Sequence, residues 1–205
     1  MADTATSAKP GHIVYMSLEA AREGQASFAH IHEIVAGLVR RGWTVDLYLP
    51  SFSDRWRRPP LILRLLEYLM VFWRVMRAYE DGQIVYVRGH VLSLPISYWA
   101  RIRGAPVVQE INGPYDDVAI AYEWAKPFAR LIAWMSGTQF RLADHLITVT
   151  PQLADWIRGQ GMTTPIDVVP NGANTDLFHP DATCDLALPD RYVVFFGGLA
   201  RWQGI

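Results

Sequence analysis

Cysteine is nearly absent: Cys184 is the only one in 205 residues, which excludes an intrachain disulfide and a cysteine-built metal cluster and fits a reducing compartment. Lysine is almost as scarce. Of the 19 basic residues, 17 are arginine and only Lys9 and Lys126 are lysine, a bias that either serves phosphate recognition or reflects GC-rich base composition. With a formal net charge of -1, the chain has no global signature of nucleic-acid binding. No apolar run approaches the roughly 18 residues of a membrane span. Met1 to Gly11 lack the apolar region of a signal peptide, so the protein is expected to be cytoplasmic. No G-x-G-x-x-G follows the first β-rich run and no G-x-x-x-x-G-K-[ST] occurs, which removes sequence support for a dehydrogenase or a P-loop enzyme.

What is present is a hydrophobic content of 51% and an alternation of short β-rich runs with longer helical ones, the pattern of an α/β protein with parallel strands. The strands are expected at His12–Met16, Thr44–Leu49, Ile84–Arg88, Val107–Glu110, His145–Val149 and Ile166–Val169. Helices are expected over Gln25–Arg41, Leu61–Tyr79, Val91–Arg103 and a long stretch from Val118 to Leu142 bent near Pro127, with another capped by Thr150 and started by Pro151. Pro170-Asn171-Gly172 marks a turn, after which the chain is polar through Pro189, and Tyr192–Phe196 is expected to open a new sheet. The expected organisation is a tail at 1–11, a Rossmann-like domain at 12–180 with helices on both faces of its sheet, and a linker with the first strand of a second domain at 181–205.

In a parallel sheet, ligands sit beyond the carboxyl ends of the strands. After the first strand, Gly24 and Gln25 precede a helix N-terminus that favours an anion, although a simple tight turn explains them equally. After the third strand, Arg88 either reaches an anionic ligand or pairs with a carboxylate, pairing being the default reading. At the fourth, a period of two puts Glu110 and Asn112 on one side, where they line a cleft or merely cap a neighbour and make a turn. His30 and His32 point about 200 degrees apart on one helix, so they do not form a two-ligand metal site, though one of them can be buried beside the cleft. Arg55-Trp56-Arg57-Arg58 leads into a helix from Leu61 with a very wide apolar face. Packing against the sheet is the default, with Phe72 and Trp73 then both buried. An anionic membrane surface is the other candidate partner.

The stretch Ile166-Asp167-Val168-Val169-Pro170-Asn171-Gly172-Ala173-Asn174-Thr175-Asp176-Leu177-Phe178-His179-Pro180 resembles the linker-side signature of group 4 glycosyltransferases, roughly I-x-V-I-P-N-G-V-D-x-x-x-F-x-P. Phe195 to Gly204 is similar to the family's F-V-G-R-L-x-x-x-K-G, and Glu110-Ile111-Asn112-Gly113-Pro114 to the E-V-N-A-P of a subgroup. The resemblance runs from about His12 to Ile205. It implies the acceptor-side half of a GT-B fold, with the donor-binding half missing from this chain.

It further implies a retaining, nucleotide-sugar-dependent transfer to a glycan or lipid-linked acceptor, with no bound metal or cofactor and without activity in this fragment alone. Gly24 and Gln25 would approach the donor phosphate or the acceptor, Glu110 and Asn112 would line the acceptor cleft, and Asn171-Gly172 would shape the hinge. Gly197 and Gly198 would lie at the donor side. Two departures stand out: Asn112 occupies the place of a frequent histidine, and Gly198 and Gln203 replace the basic pair that grips donor phosphates. Two rivals remain: a non-catalytic half-transferase that binds acceptor or membrane and recruits a catalytic subunit, and a GT-B epimerase, which the Asn171-Gly172-x-Asn174 segment disfavours.

Overall fold

The computed structural model describes residues 10–19, 21–51, 59–183, 187 and 189–194. Six parallel strands form one sheet in the order β2-β1-β3-β4-β5-β6: β1 His12–Met16, β2 Thr44–Tyr48, β3 Ile84–Arg88, β4 Val107–Ile111, β5 His145–Thr148 and β6 Ile166–Val168. The central strands are rich in valine and isoleucine and almost wholly buried, as a sheet covered on both faces requires.

Helix α1, Ala26–Arg40, links β1 to β2. It covers one face, where Ile31 packs with Ile13, Tyr15 and Tyr86. The remaining crossovers run the other way and cover the opposite face: α2 Leu61–Ala78, α3 Leu94–Arg103, α4 Asp117–Ala121, α5 Ala129–Leu142 and α6 Pro151–Gly159. Tyr68, Val71, Phe72 and Val75 of α2 join Ile96 of α3, Phe140 of α5 and Ile157 of α6 over Val14, Val85, Val87 and Leu146. The connections diverge between β1 and β3, and this reversal opens a crevice at the carboxyl edge of such a sheet.

Most expected elements lie within a residue of their observed ends. Thr150 caps α6 as read, its Oγ1 accepting from the Leu153 N–H at 3.2 Å. Gly104 closes α3 at φ +67, a left-handed conformation that only glycine adopts without strain.

The long helix over Val118–Leu142 is corrected: it is three pieces, α4, a 3-10 segment Glu123–Phe128, and α5. Tyr122 is extended and ends α4, and Pro127, which has no N–H for an α-helical ladder, sits in the tighter segment. Val91–Ser93 is likewise a 3-10 turn and not the first turn of the following helix. Of the strand expected at Tyr192–Phe196, Tyr192–Val194 are exposed and form no strand, since no neighbouring strand among the described residues offers them a ladder. Phe195 and Phe196 lie outside the described residues, as do Cys184, Gly197, Gly198, Gln203 and the Arg55–Arg58 tract.

Candidate functional site

The parallel register places Arg88 of β3 directly beside Glu110 of β4 and Tyr15 of β1 beside Tyr86 of β3. Strand periodicity turns all four toward the α1 face. The two phenol rings stack with centroids 4.6 Å apart. Their hydroxyls donate to Glu110 Oε2 at 3.1 Å from Tyr15 and 2.9 Å from Tyr86. The other oxygen, Oε1, accepts from His30 Nε2 of α1 at 2.8 Å, from Asn112 Nδ2 and from the Arg88 guanidinium. Arg88 Nε faces Glu19 Oε2 at 3.1 Å, which ties the β1–α1 loop to the same centre.

Glu110 is only 1% exposed, so its charge survives through these partners. Burial pushes its carboxyl up, but the His30 hydrogen bond, the Arg88 charge and the Asn112 amide outweigh that and hold it at about 2. Burial also works against the charge on Arg88, yet Glu110 and Glu19 keep it above its usual value. Burial first, and then the Glu110 charge, push the Tyr15 and Tyr86 phenols well up, so both remain donors. The backbone closes on the same point: the Gly89 N–H donates to the Glu110 carbonyl at 2.7 Å. A Cβ at Gly89 would meet that oxygen at 2.8 Å, so the turn leaving β3 has room only for glycine.

Beyond this cluster, at the carboxyl ends of β4 and β5, lies a pocket of about 290 Å³ lined by Asn112, Gly113, Pro114, Val149, Thr150, Gln152, Leu153 and Trp156. Its walls are apolar, with amide and hydroxyl groups among them, and its size matches the lower end of small-ligand sites. Trp156 is held by the edge of Tyr115, centroids 4.8 Å apart, and the Tyr115 hydroxyl donates to Gln160 Oε1 at 3.2 Å. Asn112 belongs to both the pocket wall and the carboxylate cluster, so the two form one continuous region.

Of the residues singled out from sequence, Arg88, Glu110 and Asn112 come together here, and Arg88 is paired. Glu110 is sealed beneath the cleft surface. His30 is half-buried and directed at Glu110, while His32 bonds its own helix through Phe28 O at 2.8 Å. Gly24 has φ +82 and Gln25 Oε1 accepts from the Arg22 N–H at 3.3 Å, a local turn away from the pocket lining. Asn171 and Gly172 are exposed in the segment after β6. That segment is pinned to α1 by Asn174 Nδ2, which donates to Glu33 Oε1 at 2.8 Å. Tyr15, Tyr86, Gln152 and Trp156 escaped sequence reading. The two tyrosines occupy matching positions of adjacent strands, a signal visible only once strand order is known. Among the described residues no three histidine, cysteine, aspartate or glutamate side chains are grouped to hold a metal ion.

A parallel sheet with helices on both faces and a pocket at its carboxyl edge defines a Rossmann-like α/β domain. The sequence matches the family model for Glycosyltransferase Family 4 over residues 28–177, and the chain belongs to that family. Among solved structures it is similar to sucrose-phosphate synthase from Thermosynechococcus elongatus, with a TM-score of 0.60 and 15% identity over 84% of this chain and 50% of that one. The chain thus spans about half the length of that relative. A search of the curated proteins found no match.

Proposed function

We propose that this chain supplies the acceptor-binding half of a retaining, nucleotide-sugar-dependent hexosyltransferase, acting on a glycan or lipid-linked acceptor at the inner face of a membrane or in the cytoplasm. The observation that carries the reading is the pocket at the ends of β4 and β5, where Trp156 and Pro114 offer flat apolar walls and Asn112, Thr150 and Gln152 offer hydrogen bonds. A sugar ring, apolar on its faces and hydroxylated at its rim, fits that combination. The buried Glu110 cluster beneath it keeps Asn112 and α1 in place, which serves catalysis by preorganisation. No nucleophile belongs to this scheme. The nucleotide sugar would be held by a second domain facing this one, with Asn171-Gly172 shaping the hinge, Gly24 and Gln25 approaching the donor phosphate or the acceptor, and Gly197 and Gly198 on the donor side.

The test is a transfer assay. Purified 1–205 should give no turnover with any nucleotide sugar, and joining it to a donor-binding domain should give turnover. Turnover by 1–205 alone would overturn the division of labour. A stop at codon 206, with turnover only when a separate subunit is added, would favour the half-transferase reading.

A further inference from the structure

Helix α2 is apolar on two sides. Tyr68, Val71, Phe72 and Val75 face the sheet and are buried. Turned away from it are Leu65, Leu66, Leu69, Met70, Trp73 and Met76, all exposed, Trp73 to 56%. At about 100 degrees per residue these six fan over one continuous arc of about 140 degrees. An apolar patch of this length on a soluble surface marks an interaction site, and the charges around it indicate its partner. Arg77 is exposed inside one end of this arc and Arg74 is exposed beyond that end, with the Arg77 guanidinium 5.3 Å over the Trp73 ring. The helix's one acid, Glu67, is drawn back to the loop after β2, where it accepts from the Ser51 N–H at 3.1 Å and Ser51 Oγ at 3.0 Å. In the sequence, Arg55, Arg57 and Arg58 come just before the helix.

From these observations we infer that the outer face of α2 docks on an anionic lipid surface, lying in the plane of the headgroups with Trp73 and the leucines in the acyl boundary and the arginines on lipid phosphates. Such a leaflet supplies both the hydrocarbon and the negative charge that this face lacks. The helix cannot cross instead: no helix of the described residues is long and apolar enough for that. The inference does not depend on the transfer reading.

Flotation of the full chain with phosphatidylcholine vesicles, with and without phosphatidylglycerol, tests it directly. Binding is expected only with the anionic lipid and is expected to weaken with salt. Arg74→Gln with Arg77→Gln should weaken it by about fivefold per arginine removed. Leu69→Glu with Trp73→Glu should abolish it while the melting temperature is retained. Absence of binding at low salt, or binding unchanged by the glutamate pair, would overturn the inference. So would a dimer that the glutamate pair dissolves without any vesicle binding, which would make the face a contact between copies. Should the glutamate pair fail to fold, the face is core and the inference also falls; the arginine pair reads the charge dependence independently.

Discussion

Two regions of this molecule invert the usual placement of side chains, in opposite senses. At the ends of β1, β3 and β4 a carboxylate and a guanidinium are sealed inside the domain. On the outer face of α2, leucines, methionines and a tryptophan stand in solvent. The first inversion is locally balanced, because the buried charges pair with each other, Arg88 with Glu110 and Glu19. The second is locally unresolved, since no described residue covers the face. A buried polar centre that satisfies itself is a device for shaping a site, whereas an apolar face left open calls for a partner.

The sharpest way to break this contrast is to empty the buried centre. Glu110→Ala leaves Arg88 buried with only Glu19 nearby and leaves the Tyr15 and Tyr86 hydroxyls without their acceptor. A stability loss of about 3 to 5 kcal/mol by urea denaturation is expected. A loss below about 1 kcal/mol would mean that water or neighbours replace the carboxylate.

Acid makes the same point without mutation. The Glu110 carboxyl lies at about 2 in the folded chain against an ordinary 4.5, so its contribution is whole above about pH 4.5 and is lost as pH falls toward 2. The expected size is about 3 kcal/mol, with Glu110→Gln flattening that part of the pH profile. An unchanged profile in the variant would assign the acid sensitivity to other groups.

Neighbouring residues of α2 sharpen the other half of the comparison. Phe72 is 7% exposed and Trp73 is 56% exposed, so Phe72→Ala should cost about 3 to 5 kcal/mol and Trp73→Ser less than about 0.5 kcal/mol. Equal costs would show that both faces of the helix are packed. The expectation from sequence that a sheet-packed α2 buries both residues is corrected here: adjacent residues lie about 100 degrees apart, and the sheet reaches only one of them.

Strand and helix placement was legible because it depends on local chemistry: valine and isoleucine runs for β1 and β3, Gly42 and Gly104 at φ +87 and +67 after their helices, and Thr150 with Pro151 at the start of α6. The break at Tyr122 was not, since the sequence from Val118 carries helical composition up to Pro127 and nothing in it marks an extended tyrosine five residues earlier. The pairing of Arg88 was legible as a tendency, but its partner was not. Glu110 lies 22 residues from Arg88 and 80 from His30, and only the register and the packing of α1 bring them together. Trp156 had no signal of its own, being one aromatic on an amphipathic helix until β4 and β5 bring it to the same pocket as Pro114.

The central proposal is that the carboxyl edge of β4 and β5 holds the acceptor, and the most direct measurement is steady-state transfer by this chain joined to a donor-binding domain, comparing Trp156→Ala with the parent. Trp156 lines the pocket while the donor would be held elsewhere, so KM for the acceptor should rise by about tenfold, equivalent to about 1.4 kcal/mol, with KM for the nucleotide sugar unchanged. A variant that keeps the parent's acceptor KM, or that shifts the nucleotide-sugar KM instead, would contradict the account.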